Sequence, residues 1–140
     1  MTARDISSTS PEGPTRVLLV DDSAEMLAIA RAALEPVCVI VGTATDGQSA
    51  LAAADTWRPD VIVLDISMPG MSGFEVAAAL RAQRSAAAIV FLTIHDDAQI
   101  VDAAMQAGGT GYVVKRRLSS DLCEAVQEAR AGRTFISPGC

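Results

Sequence analysis

From Arg16 onward, two patterns of apolar residues alternate along the chain. Short β-branched or aliphatic runs occur at Val17–Val20, Val37–Val41, Val61–Leu64, Ile89–Leu92 and Tyr112–Val114. Each is too short for a helix and too continuous for a half-exposed strand, so each predicts a strand buried on both faces. Between them lie Ala-rich segments with helical spacing. In the last, Leu122, Ala125, Val126 and Ala129 fall at i, i+3, i+4 and i+7, one stripe of a helix.

Capping residues mark where these helices start. Ser23 or Asp22 can cap the first, Asp46 the second, Ser72 the third, Asp96 or Asp97 the fourth, and Ser119 or Ser120 the fifth. Stops are equally legible: Pro36 ends the first helix, Pro59 follows the second, Gly108–Gly109 ends the fourth and Gly132 the fifth. Strand and helix thus repeat five times, which predicts an α/β fold: a parallel sheet with right-handed crossovers and helices on both faces. Residues 1–14, rich in Ser, Thr, Pro and Gly, predict a flexible lead-in, residues 15–133 one domain, and 134–140 a C-terminal tail.

A length of 140 residues suits one domain at the usual ~100–200 residues each. Half the residues are hydrophobic, and a chain of this size buries roughly two thirds of its unfolded surface. With 17 Asp and Glu against 11 Lys and Arg, the net charge of −6 argues against nucleic-acid binding by this chain alone. Membrane insertion is not expected either, for no run of about 18 apolar residues occurs. Cys38, Cys123 and Cys140 are scattered, which predicts neither a disulfide framework nor a metal knuckle and points to a reducing cytoplasm.

In an open parallel sheet, function collects beyond the carboxyl ends of the strands. Those ends deliver Asp21 and Asp22 after the first run, Asp65 after the third, Thr93 after the fourth and Lys115 after the fifth. Taken singly, Asp22 reads as a helix cap, Thr93 as a β-former and Lys115 as a snorkelling cation. Together they make a site. Three gathered carboxylates repel unless a cation relieves them, and Mg²⁺ suits them because it takes one or two carboxylates and leaves room for phosphate oxygens. Asp65 is then the candidate nucleophile toward a phosphoryl group, giving an acyl phosphate. Lys115 and the Thr93 hydroxyl are the expected partners of the phosphoryl oxygens.

These residues resemble the receiver domain of two-component response regulators over about Arg16 to Arg133. The run Arg16-Val-Leu-Leu-Val-Asp-Asp-Ser23 looks like that family's first strand and acidic pair. Pro59-Asp-Val-Ile-Val-Leu-Asp-Ile-Ser-Met-Pro-Gly-Met-Ser-Gly73 looks like its phosphorylation segment. Leu92-Thr93 and Gly111-Tyr-Val-Val-Lys115 match its hydroxyl, aromatic switch and lysine. The resemblance implies a flavodoxin-like, CheY-like (βα)5 sandwich with a five-stranded sheet in the order 2-1-3-4-5.

It implies further that a sensor histidine kinase supplies the phosphoryl group to Asp65. Mg²⁺ would be held by Asp21, Asp22, Asp65 and the backbone carbonyl of Ser67. Thr93 would move toward the phosphoryl group and Tyr112 would turn inward, altering the surface of helix four, strand five and helix five. That surface would meet a downstream effector or a second copy of the chain. Self-phosphorylation and self-dephosphorylation would be weak, and Ser67 and His95 stand where the family adjusts acyl-phosphate hydrolysis.

Three features depart from the usual pattern or refine it. Arg116 follows Lys115 where many receivers carry proline, so no cis peptide is expected there. Ile94 is bulkier than the small residue often found after the threonine, which narrows access to the site. Thr93-Ile-His-Asp-Asp97 and Ala131-Gly-Arg-Thr-Phe-Ile-Ser-Pro138 look most like receivers that precede a helix-turn-helix DNA-binding domain, making a fragment of a transcriptional regulator the nearest alternative. An Asp-nucleophile phosphohydrolase would want a second Asp at position 67, where Ser stands. A flavin binder would want a glycine- and hydroxyl-rich loop where Val20-Asp-Asp-Ser23 is acidic.

Overall fold

The aliphatic runs become strands of one parallel sheet in the computed structural model, which describes residues 13–95 and 97–138. The strands are β1 (Thr15–Val20), β2 (Cys38–Ala44), β3 (Val61–Asp65), β4 (Ala88–Thr93), β5 (Gly111–Val114) and β6 (Phe135–Ile136). Between them run α1 (Ala24–Leu34), α2 (Gly47–Trp57), α3 (Gly73–Ala82), α4 (Ala98–Gln106) and α5 (Leu118–Arg130). The lead-in before Gly13, Asp96 as a helix cap, and Cys140 lie outside the described residues.

The sheet order is β2-β1-β3-β4-β5-β6, so the expected five-stranded order gains a sixth strand. β6 pairs in parallel with β5, Gly111 opposite Phe135 and Tyr112 opposite Ile136. The segment read as tail therefore joins the sheet, a two-residue strand being too short to show any periodicity. Among the described residues no helix is long and apolar enough to cross a membrane.

Alternation along each strand divides the core into two layers. Leu18, Val20, Ile62, Leu64 and Phe91 pack with Ala50, Val76, Leu80 and Ala104, on the face covered by α2, α3 and α4. Val17, Leu19, Val61, Val63 and Leu92 pack with Leu34, Leu122, Val126 and Ala129, on the face covered by α1 and α5. β3, with every residue buried, fits the expectation of a strand covered twice. β2 does not: it is an edge strand with Val39 exposed, because burial depends on neighbours and only β1 pairs with it.

Helix starts follow the caps closely. Ser23, Asp46, Ser72 and Asp97 each accept the backbone N–H three residues on, and Ser72 and Glu75 form a reciprocal capping box. Such caps are worth about 1 kcal/mol each. α5 differs, since neither Ser119 nor Ser120 caps it. A 3₁₀ turn, Lys115–Arg117, runs straight into Leu118 with Arg117 at the cap position and no side-chain cap.

Candidate functional site

Strand register brings the functional side chains to one edge. Val20 is level with Leu64, Asp65 with Leu92, and Thr93 with Val114. Asp21, Asp65, Thr93 and Lys115 therefore emerge at neighbouring strand ends. A close helix approach shapes the floor: a Cβ on Gly73, the first residue of α3, would meet the Asp65 carbonyl oxygen and the Ile66 Cα within 2.8 Å.

Asp21 and Asp65 are almost wholly buried, at 2% and 1% exposure, while Asp22 is exposed. Their turns hold them in the same way. Asp21 Oδ1 accepts the Ser23 N–H at 2.9 Å, and Asp65 Oδ1 accepts the Ser67 N–H at 3.2 Å. Lys115 Nζ lies between the two, 3.1 Å from Asp21 Oδ2 and 3.4 Å from Asp65 Oδ1. Burial first, then the Asp21 charge, pushes the Asp65 carboxyl up to about 6; Lys115 and the Ser67 N–H pull it back only in part.

The donor set fits a hard divalent cation. One oxygen from each of Asp21, Asp22 and Asp65 lies within 4.8 Å of the others. Of the buried carboxylate oxygens, Asp21 Oδ2 has the Lys115 ammonium at 3.1 Å, whereas Asp65 Oδ2 accepts no hydrogen bond among the described residues, an arrangement costly in the absence of a cation. Three carboxylates against the one Lys115 ammonium leave two negative charges, which a divalent ion would balance. All-oxygen donors suit Mg²⁺ far better than a soft metal.

Thr93 and Tyr112 meet through a residue whose backbone does the work. Thr93 Oγ1 accepts the His95 N–H at 3.1 Å, and the Tyr112 hydroxyl donates to the His95 carbonyl at 2.9 Å. Tyr112 is fully buried, the inward setting that the resemblance assigns to the phosphorylated form. The His95 side chain is exposed, and the peptide link to Tyr112 had no signal in residue type. Ile94, 68% exposed, stands at the rim of the site. Ser67 is exposed too, and no second carboxylate occupies its position. Trp57 is the last residue of α2; its carbonyl accepts from Arg16 near the start of β1, and its ring lies against Gly42, level with Leu18 midway along β1.

Among known proteins, the response regulator receiver domain profile matches residues 17–127. The positive alginate biosynthesis regulatory protein of Pseudomonas aeruginosa is 39% identical over 116 residues, 81% of this chain and 46% of that protein. The nitrate/nitrite response regulator NarL of Escherichia coli is 31% identical over 130 residues, 91% of this chain and 60% of that protein. The chain thus spans about half the length of the curated relatives it matches. The signal receiver domain of a NarL response regulator from Mycobacterium tuberculosis superposes with a TM-score of 0.82 at 33% identity, covering 86% of this chain and 99% of that one. A two-component response regulator of the LuxR family from Aurantimonas gives 0.85 at 31% identity, covering 90% and 91%. Strand order, the acidic edge and these likenesses agree, and the chain belongs to the response regulator receiver domains of two-component signalling.

Proposed function

We propose that this receiver takes a phosphoryl group onto Asp65 from the phosphohistidine of a sensor histidine kinase. A bond forms between an Asp65 oxygen and phosphorus, the phosphorus–nitrogen bond breaks, and the imidazole leaves. The observation that carries the reading is the pair of buried carboxylates sharing one ammonium, with Asp65 Oδ2 accepting no hydrogen bond among the described residues. Asp21, Asp22, Asp65 and the Ser67 backbone carbonyl would hold Mg²⁺, which when bound supplies positive charge to the carboxylates and phosphoryl oxygens. Lys115 neutralises a further phosphoryl oxygen. The Thr93 hydroxyl accepts from His95, so its own proton remains available to donate.

The output is a shift between two arrangements of the Thr93–His95–Tyr112 chain and of the surface formed by α4, β5 and α5. A near-complete switch requires the phosphoryl group to favour one arrangement by roughly 5 kcal/mol. Because the relatives are longer transcriptional or nitrate-response regulators, the fitting context is the receiver portion of a DNA-binding regulator in the cytoplasm. Incubation with acetyl phosphate tests the acceptor. The wild-type protein should gain one phosphoryl group with Mg²⁺ and none in chelator, and Asp65→Asn should gain none. Labelling of Asp65→Asn at the wild-type level would place the acceptor elsewhere.

A further inference from the structure

α5 buries Leu118, Leu122, Ala125, Val126 and Ala129, and among them one charged residue, Asp121. Its position on the apolar stripe would suit a leucine, and a carboxylate there is costly unless fully paired. It is fully paired. Arg117 donates to both of its oxygens, Nε to Oδ2 at 2.8 Å and Nη2 to Oδ1 at 3.2 Å. Ser137 Oγ donates to Oδ2 at 2.8 Å, and Ser120 Oγ lies 3.1 Å from Oδ1.

The partners show what this polar cluster joins. Arg117 ends the 3₁₀ turn that starts at Lys115, and Ser137 follows β6. Ser137 Oγ accepts the N–H of Val114, the residue before Lys115, and the Ser137 N–H donates to the Tyr112 carbonyl. The backbone on both sides of Lys115 is thereby tied to one buried carboxylate. No proline stiffens this turn, no cis peptide occurs among the described residues, and no side chain caps the helix that follows. An ammonium on a flexible four-carbon stem reaches Asp21 and Asp65 reproducibly only if its backbone is anchored.

We propose that Asp121 is a positioning residue for Lys115, and that through Ser137 it makes β6 part of the frame of the phosphoacceptor site. This rests on the reading of Asp65 as acceptor. By linkage, seating of β6 and phosphorylation of Asp65 then favour each other, so chain leaving β6 senses the site.

Asp121→Asn removes the ion pair, and Ser137→Ala removes the hydroxyl that links Val114 and β6 to Asp121 while leaving Arg117 paired and the backbone bonds of β6 to β5 intact. Lys115 is the chain's single lysine, so selective ¹³C labelling gives one Cε signal that reports the ammonium's setting. Both variants should shift that signal and take up phosphoryl from acetyl phosphate roughly tenfold more slowly at fixed Mg²⁺. Leu34→Ala, a core truncation at the far end of α1, should match wild type in both readouts below its unfolding temperature. The proposal is overturned if Ser137→Ala keeps the wild-type signal and rate, or if Leu34→Ala slows uptake equally. A wild-type protein that takes up no phosphoryl at all overturns the Asp65 reading instead, and the Lys115 signal still decides the positioning role.

Discussion

Neutralising Asp65 should stabilise the protein when no divalent cation is added. The Asp65 carboxyl titrates at about 6 in the fold against an ordinary 3.8, so folding favours its protonated form. A raised value means that its contribution is fully favourable below about 4, is lost as the pH rises through about 6, and stays lost above. A difference of about two units corresponds to about 3 kcal/mol at 1.36 kcal/mol per unit. Asn cannot ionise and can still accept the Ser67 N–H, while Lys115 keeps Asp21. In chelator at pH 7.5, Asp65→Asn should therefore be about 2–3 kcal/mol more stable than wild type, a rise in Tm of roughly 6–12 °C. Urea denaturation across pH 4.5 to 8 measures the gap, which should close toward the acid end. Adding Mg²⁺ should narrow it at pH 7.5 by stabilising wild type selectively. A gap independent of pH, or an Asp65→Asn protein less stable than wild type throughout, would refute the reasoning.

Gly73→Ala should cost about 2–4 kcal/mol, read by chemical denaturation, because its Cβ would run into the Asp65 carbonyl and Ile66 backbone. Tyr112→Phe should fold normally and lose about 1 kcal/mol with the hydroxyl bond to the His95 carbonyl, measurable in the same way. Trp57 fluorescence should change little on Mg²⁺ addition, since the ring packs against Gly42, level with Leu18 midway along β1 and away from the strand ends that carry the aspartates; strong quenching would contradict that placement.

Much of the fold is legible because its signals are local. The aliphatic runs of β1, β3, β4 and β5 and the caps Ser23, Asp46, Ser72 and Asp97 need no knowledge of what lies across the sheet. The gathering of Asp21, Asp22, Asp65 and Lys115 follows from strand ends alone, once the strands are parallel and in register. What escaped depends on neighbours. β2 has an apolar composition but lies at the edge, so Val39 faces solvent. β6 is too short to carry a period, and its docking is decided by Ser137 reaching Asp121 and β5. α5 starts out of a 3₁₀ turn whose last residue, Arg117, pairs with Asp121 in the first helical turn, and not from a serine cap. The role of His95 lies in its peptide group, which every residue carries.

The claim that Asp65 is the reactive carboxylate is tested most directly by trapping its product. Borohydride reduces an acyl phosphate at aspartate to homoserine and leaves phosphoserine, phosphothreonine and free carboxylates unchanged. After incubation with acetyl phosphate and Mg²⁺, peptide sequencing by mass spectrometry should find homoserine at position 65 and at no other aspartate. Homoserine at another position, or phosphorylated protein with position 65 unaltered, would contradict the account.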